Sequence, residues 1–278
     1  MHPSEFEAMM AAEEHWWYRS RRTIVDAALD GLELPPSARI LDVGCGSGRM
    51  LDELAHRGAV TGIDIRPEAI AATRARGHAD AYVGRAEQSG LASDDYDLVT
   101  AFDVVEHTAD DRQTLAELLR VTRPDGALLV TVPAYQALWS HHDVVNEHYR
   151  RYTSRSLAAS ATVAGWRVAH STYFFSYLLG PAAAMRKLER LRSRDAHDLG
   201  SDLDYLPSRS LLARMLEAPS LAEAAIIRAG RRIPAGLSLL MILRPLAATA
   251  TRLEPRTESP APSPRHGRSS GFRAQMPA

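Results

Sequence analysis

Short apolar runs alternate with amphipathic stretches along most of this chain. Residues 38–43 (ARILDV) have the length and composition of a buried strand, and residues 49–55 behind them read as a helix. Further strands are expected at 59–63, 80–83, 96–101 and 128–132. Between the last two, residues 112–121 read as a helix with Leu115, Leu118 and Leu119 on one face. Residues 165–170 open a sixth strand and 237–243 form a seventh. An N-terminal helix carries Ile24, Val25, Ala28 and Leu29. Short apolar strands alternating with helices make an α/β pattern, a parallel sheet covered on both faces. Ligands of such sheets bind beyond the carboxyl ends of the strands. The segments after strands one, two, four and five are therefore expected to converge.

The first of these segments is Asp42-Val43-Gly44-Cys45-Gly46-Ser47-Gly48. Glycines let the backbone turn tightly and approach a ligand closely, and the next helix presents free N–H groups there. Asp64, at the tip of the second strand, stands where a ribose hydroxyl pair finds its acceptor. A dinucleotide fingerprint would have a glycine where this chain has Arg49. The carboxylate of Asp42 before the first glycine suits an ammonium group and not a pyrophosphate.

With these residues the chain resembles the class I S-adenosylmethionine-dependent methyltransferases. The resemblance implies a Rossmann-like, seven-stranded, mostly parallel sheet, its seventh strand antiparallel between the fifth and sixth, with a helical cap between strands six and seven. It implies S-adenosyl-L-methionine as cofactor. Gly44, Gly46 and Gly48, with Cys45 as a small packed residue among them, would line the methionine part. Asp64, followed by Ile65, would hold the ribose, and the loop from Asp103 would run under the methionyl group. Relatives often carry an acid for the adenine amino group where this chain has Arg85, which only donates. Ala86 and Glu87 become the candidates for the adenine edge.

The acceptor side is expected to draw on three segments. After the fourth strand come Glu106 and His107, the first a hydrogen-bond partner for substrate, the second a general base or a residue that fixes the loop. After the fifth strand come Tyr135, Trp139, His142, Asp143, His148, Arg150, Arg151 and Tyr152. His142 and His148 are candidate bases, with Asp143 as their orienter. The arginines would meet an anionic group or pair with acids such as Glu147. Near the N-terminus, Trp16, Trp17 and Arg22 would form a lid or pack the first helix. The stretches E-x-H-W-W-Y-x-x-R and W-S-x-H-D…H-x-R-R-Y, beginning at Glu13 and Trp139, are similar to those of a small-molecule methyltransferase subgroup. His142, Asp143 and His148 are also competent metal ligands, but a sulfonium is already an activated electrophile, and no metal is expected.

Composition narrows the remaining choices. The net charge of -1 gives no global attraction to nucleic acid, and the chain has no N/D-P-P-Y/F motif. One cysteine excludes an internal disulfide and a multi-cysteine metal site. The polar first 20 residues do not read as a signal peptide, and the longest apolar stretches fall short of the roughly 20 residues of a membrane span. A cytoplasmic protein is expected. Residues 177–232 place apolar faces (Leu178, Met185, Leu188; Leu211, Leu212, Met215, Leu216; Leu221, Ala225, Ile226) beside a basic cluster from Arg186 to Arg194. These suit a cap or a dimer face, with peripheral membrane contact toward a lipid-linked acceptor as the alternative. Monomer and homodimer both stay open. Residues 254–278, rich in Pro, Ser and Arg, read as disordered. The expected organisation is a helical lid segment (1–36), a methyltransferase domain (37–253) with its cap, and a tail. The expected activity is methyl transfer to a small organic acceptor, oxygen preferred, in natural-product, glycan or lipid biosynthesis. A non-catalytic cofactor-binding partner of a biosynthetic assembly is the competing class.

Overall fold

A computed structural model describes residues 15–191 and 211–246. The expected tail, Glu13 with Glu14, and Arg192 and Arg194 of the basic cluster lie outside the described residues. The elements run α1 (Trp16–Leu29), β1 (Arg39–Val43), α2 (Arg49–Leu54), β2 (Ala59–Asp64), α3 (Pro67–Ala75), β3 (Ala81–Val83), β4 (Tyr96–Phe102), α4 (Asp111–Val121), β5 (Thr122–Pro133), α5 (His141–Val145), α6 (Ser154–Val163), β6 (Trp166–Phe174), α7 (Ser176–Leu191), α8 (Leu211–Arg228) and β7 (Ser238–Pro245). Single helical turns at Val105–His107 and Gln136–Leu138 follow β4 and β5.

Seven strands form one sheet in the order β3-β2-β1-β4-β5-β7-β6. Only β7 runs against its neighbours. The expected α/β sheet with an antiparallel seventh strand between five and six is therefore present. Successive strand residues serve opposite faces because the side-chain period is two. Ile40, Leu98 and Leu129 pack with α1, α2, α3, α7 and α8. Leu41, Val99 and Leu128 pack with α4 and α6. On the second face Trp166 is fully buried, and its indole N–H donates to the Leu115 carbonyl at 2.8 Å.

Four local expectations change. Trp16 and Trp17 are not a segment before the first helix but its first turn, with His15 as N-cap. β5 begins at Thr122, because Thr122 pairs with Tyr96 and Ala127 with Leu98. The Pro-Asp-Gly turn between them is looped out inside one strand. α8 continues through Pro219 as a single helix; proline cannot donate to the carbonyl one turn back, and the Tyr177 hydroxyl donates to the neighbouring Leu216 carbonyl at 2.7 Å. The buried face of α8 is Ala213, Ala224 and Ile227, whereas Met215, Leu221 and Ile226 are exposed. α8 packs along α1 and belongs to the covering layer of the sheet. Its Glu223 accepts the amides of Phe175 and Ser176 at 2.7 and 2.8 Å, capping α7.

Candidate active site

β1 ends in a turn whose three glycines all have positive φ, 73° at Gly44, 56° at Gly46 and 82° at Gly48. A Cβ on Gly44 would stand 2.5 Å from Val104 Cγ2, so a side chain there would require Val104 to move. The amides of Gly44 and Cys45 donate to the Ile63 carbonyl at 2.8 and 3.0 Å, and that of Gly46 donates to Asp64 Oδ2 at 3.0 Å. Asp64 Oδ1 accepts from the Arg66 amide and Nε at 2.9 and 3.3 Å. The buried Asp64 thus builds the turn, and Oδ2 keeps an acceptor position beyond Gly46. Ile65 beside it is exposed. Ala86 and Glu87 follow β3, next to the carboxyl end of β2.

Asp42 is buried and accepts a 2.6 Å hydrogen bond from Thr100. Burial pushes its carboxyl up to about 7, against the pull of Thr100 and the charge of Arg21. It lines a cleft with Gly44, Cys45, Gly46, Met50 and Phe102 from the sheet side and Tyr18, Arg21, Arg22 and Val25 from α1. The spacing of those four is one helix face. Burial pushes the Cys45 thiol up to about 12, which leaves it a packed, un-ionised group.

Arg21, the arginine that closes the E-x-H-W-W-Y-x-x-R stretch, was not singled out as a site residue in the sequence. It pairs with Asp103 at 2.9 Å, donates to Thr131 at 3.0 Å and lies 5.7 Å over the Phe102 ring. Its signal was its place on the face of α1 shared with Tyr18 and Val25, whereas Arg19 points elsewhere and pairs with Glu217 of α8.

The acceptor-side candidates divide into two groups. Glu106, His107 and His148 come together, their nearest ligating atoms all within 4.8 Å of one another. Glu106 is fully buried, and neither carboxylate oxygen has a hydrogen-bond partner. Burial, reinforced by Asp103, pushes its pKa well above the carboxylate range. The rings of His107 and His148 meet edge to face at 4.6 Å. Partial desolvation of the ring, with His148 beside it, lowers the pKa of His107 although the residue is exposed at the surface. Behind them the buried Asp143 accepts from His148 Nδ1 at 2.9 Å, Arg151 Nε at 2.7 Å and the Ser140 amide at 2.8 Å. Burial would raise its pKa, but His148 and Arg151 hold the carboxyl well below the usual range. His142 stands outside this cluster, its ring 6.4 Å from that of His148.

The second group braces the loop. Arg151 and Arg150 pair with Asp143 and Asp111, not with Glu147. The hydroxyl of the buried Tyr152 donates to Asp111 at 3.0 Å, and burial pushes its pKa up. Tyr135 stacks on Tyr173 at 5.3 Å, and burial pushes its hydroxyl up to about 12. Trp139 is half-buried. Trp16 is wholly inside the core and Trp17 packs on Phe175 at 4.1 Å, so the paired tryptophans anchor α1. Asp103, Tyr135 and Phe175 have φ of 53°, 60° and 57° just past β4, β5 and β6. Such left-handed conformations are costly for residues other than glycine and cluster at functional sites.

Residues 41–130 match the family model described as "Methyltransferase domain". The ubiquinone biosynthesis O-methyltransferase of Xanthomonas oryzae pv. oryzae is 31% identical over 149 residues, which are 47% of this chain and 61% of that protein. The chain thus spans about three fifths of the length of these curated relatives. A Mycolicibacterium smegmatis protein named "Probable S-adenosylmethionine-dependent methyltransferase" is 27% identical over 223 residues, 78% of this chain and 80% of its own. A solved TehB-like S-adenosylmethionine-dependent methyltransferase of Corynebacterium glutamicum shares the fold, with a TM-score of 0.53 at 17% identity over 88% of this chain and 100% of that one. The seven-stranded sheet thus has the Rossmann-like fold of S-adenosylmethionine-dependent methyltransferases, and residues 41–130, across the glycine turn, are similar to a methyltransferase domain.

Proposed function

We propose that this protein binds S-adenosyl-L-methionine in the cleft between the glycine turn and α1 and moves a methyl group to an oxygen of a small organic acceptor. The observation that carries this reading is the pair Asp42 and Asp64 at the two sides of a turn whose three glycines all have positive φ. The residues fit such a group. Asp42 offers a buried carboxylate for the ammonium, the glycines admit the methionyl chain, and Asp64 Oδ2 retains an acceptor position for a ribose hydroxyl. Bound there, the sulfonium supplies a methyl carbon ready for in-line displacement. The protein contributes alignment of donor and acceptor. Arg21 ties α1 to the ends of β4 and β5 and so closes one wall.

Glu106, His107 and His148 follow the same strand ends and form the acceptor side of this reading. His107, its pKa lowered by partial desolvation of the ring and by His148, is placed to accept a hydroxyl proton, and Asp143 fixes the ring of His148. Oxygen as the nucleophile is supported by the named O-methyltransferase relatives. No helix among the described residues is long and apolar enough to cross a membrane.

The test is a calorimetric titration with S-adenosylhomocysteine. The wild-type protein should bind it, and Asp64→Asn should weaken binding about 10- to 150-fold, the value of a charged hydrogen bond of about 1.5 to 3 kcal/mol. Absence of binding by the folded wild-type chain would sink the proposal. With hydroxylated acceptors and a labelled methyl donor, His148→Ala should slow transfer by about 10²- to 10⁴-fold without changing that titration.

A further inference from the structure

Glu106 presents a problem of buried polar groups. Its side chain is fully enclosed, and both carboxylate oxygens lack a hydrogen-bond partner. Buried carboxylates are ordinarily paired, hydrogen-bonded or bound to a cation. Among the described residues no cationic side chain pairs with these oxygens. Two imidazoles do stand beside them, with the three sets of ligating atoms within 4.8 Å of one another.

We propose that Glu106, His107 and His148 form a binding site for a divalent first-row transition metal. Ligands around such an ion sit about 2.0–2.2 Å from it, so the three donors close in by small side-chain rotations. Two imidazole nitrogens and one carboxylate oxygen select zinc, manganese, iron, cobalt or nickel over magnesium and calcium, which take oxygen ligands. Three protein ligands leave positions open for solvent or a substrate oxygen, the mark of a reactive and not a structural site.

The surroundings are those a metal site needs. A ligating imidazole usually gives its second ring nitrogen to a carboxylate or carbonyl. His148 Nδ1 is 2.9 Å from Asp143 Oδ1, which leaves Nε2 for the ion. The His107 ring lies beside the backbone of Asn146, three residues from Asp143. Asp143 is itself fixed by Arg151 and Ser140, so it is a positioning residue for the ligand ring. The Tyr149 amide donates to the Glu106 carbonyl at 2.8 Å, holding the two halves of the site together. His107 is solvent-exposed and gives an ion its way in. This grouping differs from the His142, Asp143 and His148 set that residue types alone suggest: Asp143 lies behind the site and Glu106 replaces it.

The site stands on these side chains and not on the methyl-transfer reading. On that reading, an ion here would hold the acceptor oxygen and favour its deprotonated form.

The full chain, stripped with EDTA, is titrated with Co(II), followed by its visible absorption, and then with Zn(II) in competition. One equivalent of Co(II) should bind and give ligand-field bands without a thiolate charge-transfer band. His107→Ala removes an exposed side chain and should weaken binding more than about 100-fold; Glu106→Gln and His148→Ala should do the same. Asp143→Asn should weaken it about 10- to 100-fold, and His56→Ala, at a remote exposed site, should not change it. Absence of saturable binding to the wild-type chain, folded by circular dichroism, would overturn the proposal. So would binding that survives all three ligand substitutions. S-adenosylhomocysteine is titrated into the same samples. Cofactor binding without metal rejects only the metal site, and metal binding without cofactor rejects only the methyl-transfer reading.

Discussion

The two halves of the candidate site are built by different means. The donor side, from Asp42 to Asp64, is a backbone structure: three left-handed glycines, amides turned onto Ile63 and Asp64, and two buried carboxylates. The acceptor side joins Glu106 and His107 to a loop some forty residues later, and side chains hold it, with Asp143 at the hub. The difference sets what each half tolerates. The donor turn is strained when a Cβ is added, because its glycines have positive φ and the space beside Gly44 and Gly48 is taken by Val104 and Thr73. The acceptor loop fails when a charge is removed, because its partners are already out of water.

The largest effect should come from Asp143→Ala. It leaves Arg151 and His148 without their carboxylate in a site where Asp143 is fully buried. Breaking a buried ion pair costs about 3–5 kcal/mol, read as a lower urea midpoint. S-adenosylhomocysteine affinity should hold while the protein is folded. Equal loss in both readouts would show that the two halves are one cooperative unit.

Asp42→Asn should act in the opposite direction on stability. The folded state raises the Asp42 pKa to about 7, so the native protein binds a proton more tightly than the unfolded chain does. The resulting penalty is absent below about pH 4, develops as pH rises, and is complete above about pH 7, amounting to about 4 kcal/mol. Asn keeps the Thr100 hydrogen bond and removes the charge. The variant should therefore melt higher than wild type at pH 8 and the same at pH 4, while cofactor affinity falls. Calorimetric melting points at the two pH values check this, and an unchanged difference between them would remove Asp42 as the titrating group.

Gly44→Ala should cost about 1–2 kcal/mol for a left-handed alanine, plus the collision with Val104. Val104→Ala in the same chain should recover the second part, leaving the conformational part. Chemical denaturation of the two single variants and the double variant separates them.

The donor half was legible because its signals are local. Gly-x-Gly-x-Gly after an apolar strand specifies a turn wherever the chain goes, and Asp64 lies one strand away. The strand and helix periods placed all seven strands. They failed where a polar turn was spliced into β5, and where packing on α1 decided which face of α8 is buried. Trp16 and Trp17 look like pocket residues by type, and Arg150 and Arg151 look like anion ligands. Tertiary contact made the first pair core and paired the second with Asp111 and Asp143.

Sequence alone determined the alternating α/β sheet, the glycine turn and the acids that flank it, since each follows from periodicity or from backbone conformations set by neighbouring residues. Only the tertiary structure decided that Arg21 lines the cleft, that Asp143 stands behind the cluster of Glu106, His107 and His148, and that Glu106 meets two histidines. Those facts depend on distances between residues far apart in the chain, and such distances exist only after the sheet has brought the ends of β4 and β5 together.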